Sequence, residues 1–275
     1  QGNQVSVTAQ SNNGQQLLNY LQANVKNCAS QLSDTTLTLA YHPTDDTIDQ
    51  ASKLIADNAF SALRTCLNSI KSTTNNPFSV FLGGVFAYDM VANFEQLTDV
   101  PDGENTCPDY VFYLAETLVV IDHQKQTTEL IGNVFNGPDV HANCFEVGKQ
   151  LERLNTLCDH AADFSAPSQT GDCPVSVDIS DEQYCQQVIK LKQHIVDGDI
   201  FQVVPSRTFS LPCPDSLHAY SQLKKQNPSP YMFYMRDEDF SSFGASPESA
   251  LKYEVKSQQV EDYPFAGTRP RGKFA

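Results

Sequence analysis

Residues 110–135 read YVFYLAETLVVIDHQKQTTELIGNVF, and this stretch decides the fold class. Two β-rich runs flank the polar tetrad His123-Gln124-Lys125-Gln126, the pattern of a β-hairpin. Strands joined by a short turn must pair antiparallel, so helices elsewhere in the chain share it with antiparallel sheet.

Working outward, residues 5–9 and 35–41 alternate in polarity like half-buried strands. Between them, GQQLLNYLQANV (14–25) puts Leu17, Leu18, Leu21 and Val25 on one helical face. A long helix is expected over 47–70, where Ile48, Ala51, Leu54, Ile55 and Ala59 recur at helical spacing. SVFLGGVFAYDMVANFE (79–95) starts apolar, is expected to break at Gly83-Gly84, and becomes helix-like after Tyr88. Pro138 then opens a helix running to Cys158.

Residues 159–175 carry small, polar and proline residues without periodicity, as a linker does. We therefore expect an N-terminal region over 1–160, a linker over 161–175 and a second region over 176–275. In the second region, Ser180 and Gln183 form an S-x-x-Q capping box. The helix behind it has an apolar stripe of Tyr184, Val188, Leu191 and Ile195, expected to be buried, and Gly198 ends it. A strand is expected next, over DIFQVVPSRTFSL, then a helix from Pro214-Asp215, then four strands. Helices interleaved with antiparallel strands make an α+β architecture of antiparallel-rich sheets beneath outer helices.

The 33 acidic residues outnumber the 18 basic ones, giving a formal charge of −15. That balance opposes a general nucleic-acid or anionic-membrane surface, either of which needs a basic face. No apolar run approaches the ~20 residues of a membrane span. The eight cysteines lack zinc-finger spacing. They read as reduced thiols used mainly for packing in a cytoplasmic protein. The histidines have no triad or metal spacing, and no G-x-G-x-x-G or Walker lysine is present.

Cations gather locally in one place. From Tyr263 onward there is no acidic residue, and AGTRPRG (266–272) sets Arg269 and Arg271 beside Gly267 and Thr268. A glycine allows close backbone approach, a threonine offers a hydroxyl, and guanidinium forks match carboxylates. In NPSPYMFYM (227–235), Pro228 and Pro230 lead into Tyr231, Met232 and Phe233. Two prolines keep such a segment at a sheet rim, where aromatic and Met side chains can line a pocket. GDIFQVVPSR (198–207) and FGASPES (243–249) read singly as a strand and a turn, with Ser246 and Glu248 at the turn.

Taken in order, GGVFAYDMVANFE, CPDYVFYLAETLVVIDHQ, GDIFQVVPSR, NPSPYMF, FGASPES and AGTRPRG resemble the large subunit of anthranilate synthases, which are chorismate-utilising enzymes. The resemblance implies an α/β/β/α layered fold. It also implies conversion of chorismate and ammonia into anthranilate and pyruvate in tryptophan biosynthesis, with feedback inhibition by tryptophan. A glutamine amidotransferase, fused or in a hetero-oligomer, would supply the ammonia, and Mg2+ would bridge the substrate carboxylate to glutamates. By motif match, Gly267 and Thr268 contact chorismate, and Pro230, Tyr231 and Met232 contact tryptophan.

Within that family, aminodeoxychorismate synthases often carry Lys directly before Gly-Thr, and here Ala266 holds that place. Isochorismate and salicylate synthases match NPSPYMF poorly. The family's catalytic acid/base, its metal-binding glutamates and an LLES-like half of the tryptophan pocket match no segment of this chain. We expect the chain to be a fragment cut at both ends, inactive by itself, with no catalytic or metal-ligating residue of its own. A different reading is a non-catalytic tryptophan-binding module.

Overall fold

A computed structural model describes residues 3–42, 47–95, 107–160 and 174–263. Its contacts divide the chain into two compact units, Gln1–Asp163 and Phe164–Ala275.

The first unit starts with a three-stranded antiparallel sheet of order β1-β3-β2, built from β1 (Gln4–Thr8), β2 (Cys28–Leu32) and β3 (Thr36–Tyr41). Alternation in β3 turns Leu37, Leu39 and Tyr41 inward, opposite Val5 of β1. Helix α1 (Asn12–Asn24) buries Leu18 and Leu21 in the same cluster, with Leu17 and Val25 packed at its margin. Each such burial stabilises by about 1.5–3 kcal/mol. Strand β2 has no apolar alternation to betray it, since CASQL is an exposed edge strand. It follows Asn27, whose positive φ of 56° reverses the chain after α1.

The long helix expected over 47–70 is two helices, α2 (Gln50–Ile55) and α3 (Phe60–Ser69). Polar side chains break it by claiming the backbone groups that a helix would use. Asn58 Oδ1 accepts the Phe60 N–H, and Ser61 Oγ accepts the Asn58 N–H while donating to Asp57. The Arg64 guanidinium donates to the Leu54 and Ala56 carbonyls, satisfying the end of α2.

Gly83 and Gly84 do not interrupt the next run, because both lie inside β4 (Leu82–Phe86). Gly84 is needed there by the neighbouring strand β5 (Tyr110–Leu114). A Cβ on Gly84 would overlap the Val111 carbonyl oxygen and sit 2.7 Å from Phe112 Cα. A 3-10 turn over Tyr88–Asn93 follows β4. Phe60, Phe86, Phe94, Tyr110 and Phe112 gather into one aromatic cluster, with Phe86 and Phe112 centred 4.6 Å apart.

The opening stretch is three strands, since the chain turns at Ala115-Glu116 before β6 (Thr117–Asp122) and β7 (Thr127–Gly132). The expected hairpin is β6–β7. The Asp122 carboxylate accepts the Gln124 and Lys125 N–H groups at 3.0 and 2.9 Å, and Gln126 closes the turn at φ 56°. Those bonds, that of Lys125 first, hold the Asp122 carboxyl below its usual range. Helix α4 (Val140–Cys158) packs on this hairpin through Val147. Buried Asn13 ties α1 to the segment after β7, donating to the Asn133 carbonyl and accepting the Phe135 N–H, both at 2.9 Å.

The second unit contains β8 (Ser176–Val177), α5 (Asp181–Asp197), β9 (Phe209–Ser210), α6 (Ser216–Gln226), β10 (Tyr231–Arg236), β11 (Ser241–Ser246), β12 (Lys252–Glu254) and β13 (Gln259–Glu261). The strands pair as β8-β9, β10-β11 and β12-β13, each antiparallel. The capping box forms with both reciprocal bonds, and Gly198 ends α5 at φ 83°. Two expectations fail here. The strand expected after Gly198 is reduced to β9, because no described strand pairs with residues 201–208. The α5 stripe is only half-buried, and Ile195 is 42% exposed. The whole chain is α+β, and every described strand pair is antiparallel.

Seven described cysteines are free thiols, but only Cys66 is buried; Cys107, Cys144, Cys158, Cys185 and Cys213 are exposed. Packing is therefore not their main use.

Candidate functional site

The candidate ligand-binding segment enters β10 through exposed Pro230 and pairs with β11 in the register Tyr231–Ser246, Met232–Ala245, Phe233–Gly244 and Tyr234–Phe243. Proline has no N–H, so the chain can join the ladder only after Pro230. At the far end, the Asp237 N–H donates to the Phe240 carbonyl at 2.8 Å and closes the connection to β11.

Strand alternation separates the expected site residues. Tyr231 and Phe233 share one face and are about half exposed, at 50% and 45%. Met232 and Tyr234 share the other face and are half-buried. That second face is covered by α6. Tyr234 packs against Tyr220 at 5.5 Å and stacks on Phe243 at 6.1 Å, while its hydroxyl is 2.9 Å from Ser216 Oγ. Asp215 fixes the start of α6 by accepting the His218 N–H at 2.9 Å. A ligand touching both Tyr231 and Met232 must therefore straddle the start of the strand, where main-chain groups are also within reach.

The sequence reading did not single out Phe233 with Gly244, or Tyr234 with Tyr220 and Ser216. Its signal was available: aligning YMFYMR against SSFGAS antiparallel puts Phe233 opposite the glycine and Tyr234 opposite Phe243. At the end of β11, Ser246 Oγ donates to the Glu248 carbonyl at 3.0 Å and accepts the Glu248 N–H at 3.4 Å. That hydroxyl is used in forming the turn at Pro247.

Arg207 is tied down locally. Its guanidinium donates to Asp181 and lies over the rings of Phe209 and Tyr184, at 4.7 and 5.4 Å. Nearby, Asp178 is held below its usual range by the backbone N–H of Thr208 and then that of Ile179. Gly267 and Thr268, with Ala266, Arg269 and Arg271, lie outside the described residues. Among the described residues, no group of three His, Cys, Asp or Glu side chains is placed to hold a metal ion. No described helix is long and apolar enough to cross a membrane.

Comparison with known proteins gives one consistent direction. A family model described as chorismate binding enzyme matches residues 17–275. The chain is 47% identical over 277 residues to anthranilate synthase component 1 of Vibrio cholerae serotype O1, covering 100% of this chain and 52% of that protein. It is 43% identical over 281 residues to anthranilate synthase component 1 of Escherichia coli K12, with coverage of 100% and 52%. Among solved structures, anthranilate synthase component I from Streptococcus pneumoniae TIGR4 superposes with a TM-score of 0.59 at 22% identity, covering 73% of this chain and 46% of that one. That likeness shows a shared fold. The chain spans about half the length of the curated relatives it matches.

Proposed function

The chain belongs to the chorismate binding enzymes, and on that premise we propose that its protein is the large component of an anthranilate synthase. Chorismate and ammonia would yield anthranilate, pyruvate and water. The nitrogen replaces the ring hydroxyl, and the enolpyruvyl side chain leaves as pyruvate. One observation carries this reading: 47% identity along the entire chain to a protein named anthranilate synthase component 1.

In this reading Gly267 and Thr268 meet chorismate. Its two carboxylates call for aimed donors in a chain of net charge −15, and the local surplus of cations supports placing them there. Pro230, Tyr231 and Met232 meet tryptophan as a feedback inhibitor. The proline-fixed entry to β10, with Tyr231 on one face and Met232 on the other, suits an aromatic amino acid held at the strand's start. Mg2+ is held by carboxylates other than those described here, where it would neutralise a substrate carboxylate. A glutamine amidotransferase subunit or domain supplies ammonia, and the reaction takes place in the cytoplasm. The domain reading places residues 1–160 in an N-terminal region and 176–275 at the start of the chorismate-binding region, joined by 161–175.

The test is an assay of the polypeptide containing this chain, given chorismate, Mg2+ and ammonium salts, with products separated by chromatography. Anthranilate supports the reading. A 4-amino product indicates an aminodeoxychorismate synthase instead. Tryptophan binding by calorimetry without any turnover indicates a sensing module.

A further inference from the structure

The dipeptide Asn-Gly occurs twice in this chain, at Asn13-Gly14 and at Asn136-Gly137, and the fold treats the two oppositely. The pair has a chemistry of its own. The side-chain amide carbon of asparagine can reach the backbone nitrogen of the next residue, and glycine sets no Cβ in the way.

At the first copy both reacting groups are occupied. Asn13 is 3% exposed in the first turn of α1. Its Oδ1 accepts the Phe135 N–H, and its Nδ2 donates to the Asn133 carbonyl. The Gly14 N–H donates to Ser11 Oγ at 2.8 Å. At the second copy both groups are open. Asn136 is exposed, in the connection from β7 to α4, outside any helix or strand. Neither its side-chain amide nor the Gly137 N–H bonds to a described residue. A Cβ on residue 137 would displace the side chain of Gln16, which donates to Asp139 at 3.2 Å. Glycine therefore fits against α1 here, and it leaves its own nitrogen unshielded. Only the Gly137 carbonyl is used, accepting the Val140 N–H at 3.3 Å where α4 starts.

We propose that Asn136 is a site of spontaneous deamidation through Gly137, that the fold protects Asn13 from the same reaction, and that the isoaspartyl product loosens the tie between α1 and α4. The Gly137 nitrogen gives its proton to hydroxide or a general base and attacks Asn136 Cγ. The N–Cγ bond forms, the Cγ–Nδ2 bond breaks, and ammonia leaves with the proton it needs from water. A five-membered succinimide remains, and a second water opens it. Breaking the N–Cγ bond gives aspartate. Breaking the bond from that nitrogen to the Asn136 main-chain carbonyl carbon gives isoaspartate. Either product adds a carboxylate, ionised at neutral pH. Isoaspartate also routes the main chain through Cβ and Cγ, which lengthens it by one carbon. That carbon enters between two anchors: the Phe135 N–H held by Asn13 of α1, and the Gly137 carbonyl held at the start of α4. One anchor must shift against the other.

The test incubates the polypeptide that contains this chain in mildly alkaline buffer for several days, then maps its peptides by mass. Replacement of NH2 by OH marks deamidation at each asparagine. A carboxyl methyltransferase specific for isoaspartate, with S-adenosylmethionine as methyl donor, distinguishes the two products. Asn136 is expected to convert about a hundredfold faster than Asn13, whose reaction must wait for local opening of α1. In concentrated urea the two sites should convert at similar rates, because the dipeptide is the same and only the fold separates them. Asn136→Gln, at an exposed position, should stop the reaction at 136 and leave the urea midpoint unchanged. In the isoaspartyl fraction, amide exchange at Phe135 should quicken about tenfold. An intact Asn136, or native rates equal at the two sites, overturns the proposed site. A gap that persists in urea overturns protection by the fold, and unchanged exchange at Phe135 overturns the loosening. None of these readouts involves turnover, so the catalytic reading stands or falls separately.

Discussion

Phe233 lies across the β10–β11 pair from Gly244, with its ring so close that a Cβ on residue 244 would sit 2.8 Å from Phe233 Cε1. The ring shields a strand position that has no side chain of its own. The opposite face of the same ribbon is closed by Tyr234, Phe243 and Tyr220. The ribbon thus has one face fastened to α6 and one face, with Tyr231 and Phe233, open to a ligand.

Two glycines in strands should respond differently to alanine. At residue 244 the obstacle is the tip of a half-exposed ring, which can swing away. Gly244→Ala should then cost up to about 1 kcal/mol, the scale of one cross-strand pair. At residue 84 the obstacle is the backbone of β5. Gly84→Ala should cost about 3 kcal/mol, because the strands themselves must separate. Urea midpoints of the two variants check the ordering, and equal midpoints would contradict the close approach at Gly84.

Stability should fall at alkaline pH through the first unit. Burial pushes the Cys66 thiol from its ordinary 9.0 up to about 11. Burial is also the main cause raising the Tyr41 and Tyr110 phenols. For a group raised on folding, the stabilisation is complete below the unfolded pKa and is lost as pH rises through the folded one. The loss for Cys66 should begin near pH 9 and amount to roughly 2 kcal/mol by pH 11. Denaturant titrations at pH 8, 9, 10 and 11 measure it, and Cys66→Ala should flatten the slope. A thiol reagent should meanwhile label exposed Cys144 and Cys158 at once and reach Cys66 only on unfolding.

Features set by neighbouring residues were legible in the sequence, and features set by distant ones were not. The turn at 123–126, the Ser180–Gln183 box and the stop at Gly198 are each written within a few positions. The break between α2 and α3 is also local, yet it was hidden. Apolar spacing continues across Asp57 and Asn58, while their side chains bind the backbone and end the helix. The break expected at Gly83-Gly84 fails for the opposite reason: a glycine pair between apolar runs also marks close packing, and Gly84 serves that use against β5. Residues 201–208 have strand composition, but a strand exists only when another pairs with it. At the candidate site, Pro230, Tyr231 and Met232 were legible as a cluster. Their division between two faces of β10 follows from the register with β11.

Gly198 offers a clean test of the αL termination of α5. No atom lies within 4 Å of where its Cβ would be, so only the backbone angle opposes a side chain. Gly198→Ala should cost about 1 kcal/mol, and Gly198→Asn less, since Asn tolerates this region better. An alanine variant as stable as the parent would mean that residue 198 does not hold φ 83° in solution.

The sharpest test of the ligand assignments pairs Met232→Thr with Thr268→Ala in the polypeptide that contains this chain. Met232 lies on the α6 face of β10, and Tyr231 begins the open face. Replacing a flexible thioether with a short hydroxyl removes apolar contact beside the strand's start and leaves the strand pairing intact. Inhibition by tryptophan should weaken about tenfold, or about 1.4 kcal/mol, with kcat little changed. Thr268→Ala should do the reverse: kcat/KM for chorismate falls by about 1–2 kcal/mol, the cost of losing a hydrogen bond to a charged group, while tryptophan affinity holds. Steady-state rates with and without tryptophan separate the two. If both variants lost both properties together, the two residues would belong to one site, and the proposed division between substrate and inhibitor would fail.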